Sequence, residues 1–600
     1  MKTHQEQSFD SKFDWKLWKD ILGFTVNYKR EMAILAVIML LVGGIDAIFP
    51  ILTRHVIDNF VIPQKLEGLS TFGLYYGLLV IIQAVNIWLL ITFAGKVEMG
   101  IGYDIRKLGF RRLQELSLSY YDRTAVGWLM ARMTSDIRRL SSIISWGLVD
   151  LVWGVTMMLF IVVIMVSINW RLALIALSVV PPLVVISLYF QKKILHSYRN
   201  VRKTNSRITG AFNEGIMGAQ TSKTLVREAE NLNEFTKLTG EMRYTSVRAA
   251  ILSSLFLPIV LTLSSIGTAL VLWSGGNGVM MGVITYGTVV AFISYIVRFF
   301  EPVRELARIF AELQLAQASA ERVLSMIRTE PEIKDSQAVH EKYGDTLELN
   351  KGELPEIIGN ITFQDVSFTY QGGEQVLENF NLEVRAGETI ALVGETGAGK
   401  STIVNLTCRF YEPTAGNILI DGVDYRERPL LWLHRHLGYV LQSPHLFSGT
   451  IRENIRYGRL AASDQEVIQA AQTVNADHFI TALEKGYDTE VGEGGSKLST
   501  GQKQLISFAR AILADPKILV LDEATSSIDT ELEQLIQQAI SILLEGRTSF
   551  IIAHRLSTIR SADRILVIQD GRITEEGNHQ QLLKEKGYYY RLYTNQFAQV

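Results

Sequence analysis

One cysteine, Cys408, is all that the 600 residues contain, and the formal net charge is only −2. A single thiol excludes an intramolecular disulfide and any cysteine-based metal cluster, and it suits a soluble part facing the reducing cytosol. Lys+Arg 59 against Asp+Glu 61 excludes the strongly basic signature that bulk attraction to nucleic acid leaves, so no nucleic-acid partner is expected. The opening stretch MKTHQEQSFDSKFDWKLWKD lacks an apolar run before a small-residue cleavage site and does not read as a secretory signal.

What the chain does have is apolar sequence, unevenly spread. Its length exceeds one core and predicts roughly two to four domains. Long apolar runs dominate up to about residue 312, and an ordinary soluble α/β pattern follows from about residue 340. Ahead of the first run, Phe13 to Tyr28 mixes Trp, Leu, Ile and Phe with Lys and Asp at helical spacing. This predicts an amphipathic helix on the inner membrane face, in preference to one packed on the protein itself.

A bilayer core needs about 20 mostly apolar residues per helix. Six stretches qualify, near 31–53, 71–95, 143–168, 170–191, 249–274 and 286–310. Only Asn169, Trp170 and Arg171 separate the third from the fourth, which predicts a tight hairpin. Lys and Arg crowd two long connections, from Lys96 to Arg139 and from Lys192 to Arg248, while the other loops hold only Arg54, Lys65 and Arg171. The basic loops and both termini are therefore expected inside. Both long loops have helix-compatible patterning and a turning point. One is YYDRTAVGWL, where Asp122 would cap and Gly127 would break a helix; the other is NEGIMGAQ, from Asn213 to Gln220.

Ionisable residues inside spans are costly and rare. Asp46, with Gln83 and Asn86 on the next span, admits two readings: part of a polar substrate path, or a helix-to-helix hydrogen bond. Asp150 reads as the latter, or as a position near the interface. Met157, Met158 and Phe160 read as packing or lipid-facing side chains.

The soluble half carries phosphate chemistry. GETGAGKST follows the apolar run Glu388 to Val393 and precedes a helical pattern. Its glycines allow backbone N–H groups to turn around phosphates, and the helix end adds its positive dipole. The candidate ATP-binding segment is Gly394, Glu395, Thr396, Gly397, Ala398, Gly399, Lys400, Ser401 and Thr402, with Lys400 on the terminal phosphates and Ser401 on Mg²⁺. In KILVLDEATSS a buried strand ends in two adjacent carboxylates. Asp522 is placed to hold Mg²⁺, directly or through water, and Glu523 to act as the base that orients the attacking water. His554 ends another apolar strand and is a candidate contact to the γ-phosphate.

ETGAGKST, the Gln of YVLQSPHLFSGTIRENI, LSTGQKQ, ILVLDEATSSID and IIAHRLS, in this order, resemble the nucleotide-binding domain of ABC transporters. The spans with long inner loops ahead of them resemble the exporter type (type IV fold). The fold implied is an α-helical membrane domain followed by an α/β P-loop domain. Its divisions are a tail and elbow helix over 1–30, six spans over 31–325, a linker over 326–357 and the nucleotide-binding domain over 358–600.

The resemblance also implies roles. Tyr370 matches the aromatic that stacks on adenine, and Gln442 the residue that senses Mg²⁺ and the attacking water. Asp529 matches a residue at the dimer seam, and Glu490 to Gly495 the loop that meets the two turning points. His554 gains a role in hydrolysis beside Glu523 and Gln442. Ser499, Thr500, Gly501 and Gln502 match the signature, which contacts ATP held by the other subunit's P-loop.

One nucleotide domain and six spans make half a transporter, so a second half-transporter is required. Thr500 stands where the signature usually has Gly. A drifted signature beside an intact Glu523 and His554 suits a heterodimer with unequal sites, and that reading is taken over a tolerated variation. The function implied is ATP-driven export of an amphipathic, drug-like or lipid-like compound across the plasma membrane, with membrane lipid as a second partner. The competing readings are a homodimeric lipid flippase-like exporter, an importer on the same fold, and a nucleotide-gated channel; the last would favour a lost Glu523.

Overall fold

The computed structural model describes residues 14–345, 348–349, 354–370, 372–522, 530–552 and 556–596. Two compact units divide the chain. The first runs up to Gln114 and adds Val126–Thr329; the second combines Glu115–Ala125 with the chain from Glu330 onward.

The first unit is helical. Among the described residues, five helical stretches are long and apolar enough to cross a membrane: Trp15–Val61, Leu69–Glu115, Val126–Leu177, Glu228–Met280 and Tyr286–Val303. The expected span over 170–191 is not one of them. The helical stretch that begins at Leu148 closes at Leu177, and a new helix starts at Val180 with prolines in its first turn. A ring without an N–H fits best in a helix's first turn, so Pro181 and Pro182 favour a helix start inside the apolar run. The new helix, Val180–Met217, then continues into polar sequence.

The hairpin turn falls at Asn169, whose φ of −158° and ψ of 105° are not helical. Its side-chain oxygen accepts from the Leu172 N–H at 3.0 Å, the contact of an N-cap residue.

The helices outrun a bilayer. Leu69–Glu115 has 47 residues, about 70 Å at ~1.5 Å per residue, against a hydrocarbon layer of ~30 Å. Asp122 and Gly127 do not play their expected parts at the first turning point. Asp122 lies inside the helix Leu118–Arg123 and Gly127 inside Val126–Ala131, and the chain breaks between them at the extended residue Thr124. The second turn is where expected, with Gly218 separating Val180–Met217 from Ala219–Thr224.

The elbow helix, Trp15–Gly23, is capped by Asp14, whose carboxylate accepts from the Lys16 and Leu17 N–H groups. Its face of Leu17, Trp18 and Ile21 is buried against the protein, while Trp15 and Val26 stay exposed. The backbone N–H of Asp14 donates to Gln317, and Asp20 pairs with Arg328, which ties the helix to Tyr286–Arg328. Packing on the protein therefore claims the apolar face that was expected on the membrane. Met157 is buried in the helical core with Ile161, Phe292 and Tyr295, whereas Phe160 is exposed. Asp150 is taken up by an ion pair with Arg308 at 2.6 Å.

The second unit is α/β. A six-stranded sheet has the order Arg572–Gly577, Arg564–Gln569, Thr389–Val393, Thr548–Ile552, Ile518–Asp522, Leu437–Val440, parallel except for its first pair. Alternation along each strand divides its side chains between two cores. Ala391, Val393, Leu519 and Leu521 join one, with the helix Thr500–Ala514. Ile390, Leu392, Ile518 and Val520 join the other, with the helix Lys400–Thr407 and the antiparallel strands Ile361–Thr369 and Gln375–Val384. Cys408 is fully buried in this second core, and burial pushes its thiol pKa up, away from reactivity.

Candidate functional site

Parallel strands open their ligand sites at their carboxyl ends. Val393 and Asp522 end two strands of this sheet, and Thr548–Ile552 lies between them with Ile552 level with both Asp522 and Leu392. The loop from Gly394 to Gly399 leaves that edge. Gly394 has φ +154°, and a Cβ there would meet the Ile568 carbonyl oxygen at 2.2 Å. Gly399 is left-handed at φ +106° and supplies no side-chain cap for the helix Lys400–Thr407. Glycine at both places lets the loop close tightly and leaves the first amides of the helix to a ligand.

Within the loop, Glu395, Thr396 and Gly397 are exposed, Ala398 is half-buried, and Lys400 is buried. The Lys400 ammonium donates to the carbonyls of Gly394 and Glu395, at 2.6 and 2.7 Å. Burial lowers its pKa while the Asp522 carboxylate opposes the shift, so the two ends of the site feel each other. Ser401 is exposed at the helix start, and Thr402 is buried. Gln442 is exposed just past the strand Leu437–Val440, the neighbour of the Asp522 strand. Hydroxyl, carboxylate and side-chain amide are hard oxygen donors, the set that suits Mg²⁺. Glu523, Asp529 and His554 lie outside the described residues.

Tyr370 follows the strand Ile361–Thr369, and its hydroxyl is 3.1 Å from the Thr402 hydroxyl. Its ring meets Phe368 and Tyr411 edge-on, with centroids 4.7 and 5.2 Å away.

The signature segment is built differently. Ser499 caps the helix Thr500–Ala514: its hydroxyl accepts from the Gln502 N–H at 3.3 Å, and the Gln502 side chain accepts from the Ser499 N–H at 2.9 Å. This is a reciprocal capping box. Thr500 is exposed and Gly501 buried. The helix belongs to the core on the opposite face of the sheet from the Lys400–Thr407 helix.

Comparison with known proteins agrees with this layout. Residues 32–303 match the model of the ABC transporter transmembrane region, and residues 377–526 that of the ABC transporter family. A relative named ATP-dependent lipid A-core flippase, from Syntrophus aciditrophicus, is 35% identical over 98% of this chain and 96% of its own length. A putative multidrug export ATP-binding/permease protein, YgaD of Bacillus subtilis, is 34% identical over 96% of this chain and 99% of its own. A fatty acid ABC transporter ATP-binding/permease protein of Mycobacterium tuberculosis is 40% identical over 80% of this chain and 74% of its own. The chain belongs to the ABC transporters. It is an exporter-type half-transporter with membrane and ATP-binding parts fused, a multi-pass membrane protein whose ATPase is coupled to transport.

In an ABC transporter, ATP chemistry must reach the membrane helices, and a group of residues that sequence reasoning missed bears on this. The short helix Leu118–Arg123, the first turning point, belongs to the same unit as the P-loop. The Tyr411 hydroxyl donates to its Asp122 carboxylate at 2.5 Å. Glu332 accepts from Ser119 at 2.6 Å and pairs with Arg123 at 2.5 Å, and the Ile333 N–H donates to Ser117 at 2.9 Å. Burial and the neighbouring Asp122 carboxylate both push the Tyr411 pKa up, so it stays a donor at physiological pH. Tyr411 also touches Tyr370, so one side chain bridges the P-loop neighbourhood and the loop helix. Nothing in local sequence marks this pair, 289 residues apart. Elsewhere the Tyr588 hydroxyl donates to Glu395 at 3.1 Å, a second contact no motif announced.

Proposed function

We infer that the chain is one half of a dimer that exports an amphipathic, drug-like or lipid-like compound across the plasma membrane by alternating access, with its basic loops and termini on the cytoplasmic side. The observation that carries the dimer is the placement of the two phosphate-type helix ends on opposite faces of one sheet. Lys400 and Ser499 then serve different nucleotides. ATP is held by Tyr370 and the loop from Gly394 to Thr402, and the partner's P-loop is completed by Ser499, Thr500, Gly501 and Gln502. Mg²⁺ would be held by Ser401, Gln442 and Asp522 and would neutralise phosphate charge. Glu523 orients the attacking water, His554 and Gln442 assist, and Asp529 lies at the dimer seam. The amphipathic class is supported by the printed names of the relatives, which include lipid A, fatty acid and multidrug transport.

The Tyr411–Asp122 contact supports coupling through the first turning point, and the loop Glu490 to Gly495 is the proposed meeting place for the turning points of the dimer. A heterodimer is the favoured form, because Thr500 replaces the usual glycine while Glu523 is kept. Reconstitution of the chain alone in lipid, with its particle mass and ATP hydrolysis measured beside Glu523→Gln, tests both points. A dimer whose hydrolysis is lost in Glu523→Gln supports the exporter and makes it homodimeric. A monomer or an inactive dimer supports a separate partner subunit, and hydrolysis that survives Glu523→Gln rejects the assigned base.

A further inference from the structure

The membrane helices hold one polar cluster that ATP chemistry does not use. Asp46 lies on Lys29–Val56, Gln83 on Leu69–Glu115, Trp153 on Leu148–Leu177 and Arg298 on Tyr286–Arg328. The Gln83 amide donates to Asp46 Oδ1 at 3.0 Å and to the Val42 carbonyl at 3.4 Å. The Trp153 indole N–H donates to Asp46 Oδ2 at 3.4 Å. Four helices therefore meet around one carboxylate.

The positive charge that acts on Asp46 is Arg298. The Arg298 guanidinium donates to the backbone carbonyl of Asp46 at 3.4 Å, and among the described residues no cation lies in ion-pair range of the Asp46 carboxylate. Two neutral donors, one on each oxygen, leave lone pairs on both. Gln83 is 6% exposed, and its buried Oε1 accepts no hydrogen bond. Arg298 and Glu301 both act on Asp46, with opposite signs.

A carboxylate among apolar helices is costly unless a cation or several donors answer it. A hydrogen bond that only ties two helices together is met by the Gln83 N–H group and one Asp46 oxygen, and does not account for the buried, unpartnered Gln83 Oε1. Here acceptors remain on Asp46 and on Gln83 in one hydrogen-bonded pair, and among the described residues the carboxylate has no ion-pair partner. A group that carries one positive charge and N–H donors closes both deficits together.

On the export reading above, we propose that Asp46 and Gln83 recognise a protonated amine on the transported amphiphile. Asp46 takes the charge-assisted hydrogen bond, Gln83 Oε1 takes a second N–H, and the apolar helices take the hydrocarbon part. The exported class is then basic amphiphiles, in preference to neutral or acidic ones.

The test uses the full chain with its partner in lipid nanodiscs and two probes, 8-(dansylamino)octylamine, whose free amine is protonated, and its neutral N-acetyl amide. Binding is read by dansyl fluorescence against nanodiscs without protein. A charge-assisted hydrogen bond predicts an amine affinity at least about tenfold above that of the amide. In Asp46→Asn that ratio falls to near one, and in Gln83→Leu it falls by about threefold. A ratio of the two affinities is insensitive to a loss of folded protein, so a poorly folding variant still reports. Equal affinity for both probes in the unaltered protein, or an unchanged ratio in both variants, overturns the proposal. ATP-driven export of the amide with no preference for the amine would sink the amine site and leave the exporter standing. If ATP drives neither probe in proteoliposomes, the export reading falls as well.

Discussion

Two helix ends in the soluble unit present the same chemistry in opposite ways. The Lys400–Thr407 helix begins at a left-handed glycine with no side-chain cap, and the loop before it is closed by a buried ammonium on backbone carbonyls. The Thr500–Ala514 helix begins with a complete capping box, and its first residue, Thr500, is exposed. An uncapped helix end costs stability unless something answers its amides. The first end is thus built around a ligand and depends on it, whereas the second is stable as it stands and meets a ligand only at its surface. That asymmetry is what a divided site needs: one subunit holds the nucleotide and the other arrives to complete the enclosure.

Breaking the first end should have the largest effect. Lys400→Ala removes the one buried cation of the loop, and ATP hydrolysis should fall by at least about a hundredfold, together with binding of an ATP analogue. Retained analogue affinity in Lys400→Ala would show that the loop amides suffice and would erase the contrast. At the second end, Ser499→Ala deletes the cap hydroxyl. Hydrolysis should fall about tenfold, while analogue binding to an isolated subunit stays unchanged, because the nucleotide it serves sits on the partner. The lost cap should also cost the helix about 1 kcal/mol, visible as a lower unfolding temperature. A parallel loss of analogue binding in the isolated subunit would place both ends on one nucleotide.

The two ends were not equally legible. The P-loop is a local pattern, and strand, glycine turn and helix follow from residues adjacent in sequence. Its coordinates in the sheet follow from alternating apolar residues that serve two faces. The turn at Asn169 was legible for the same reason, since it lies between two apolar runs, whereas its cap on Leu172 is seen only in the fold. The break at Val180 is present in the sequence as Pro181 and Pro182, but apolar composition alone averages over backbone chemistry and predicts one unbroken span. The elbow helix showed its periodicity, which names a buried face without naming what buries it; Leu17, Trp18 and Ile21 chose the protein. Least legible was the loop helix. A short acidic residue such as Asp122 reads as a helix cap, yet its partner is Tyr411, a contact made only by the folded chain.

That contact separates the helix ends in a further way, since only the P-loop end borders Tyr370, which touches Tyr411. Tyr411→Phe keeps the ring contacts and removes the donor to Asp122. The number of substrate molecules moved per ATP hydrolysed should fall about threefold, the size of one exposed hydrogen bond, with Asp122→Asn giving a similar loss. If the two changes combined do no more than either alone, the pair acts as one unit. Full additivity would mean that Asp122 and Tyr411 act through different partners.

The smallest change addresses the signature itself. Thr500 is the first residue of its helix, exposed, and free of the capping box, which runs from Ser499 to Gln502. Thr500→Gly therefore leaves the cap intact and removes only a Cβ, a methyl and a hydroxyl from the surface that would meet a phosphate. If the threonine crowds that phosphate, hydrolysis by the assembled dimer should rise, by less than about threefold, because an exposed side chain can rotate aside. The rise should occur at one of the two nucleotides in a heterodimer, which trapping experiments with a labelled ATP analogue would resolve as a change at a single site. An equal change at both sites would mean two identical signatures, and the asymmetry between the helix ends would then lie within each subunit and not between two kinds of subunit.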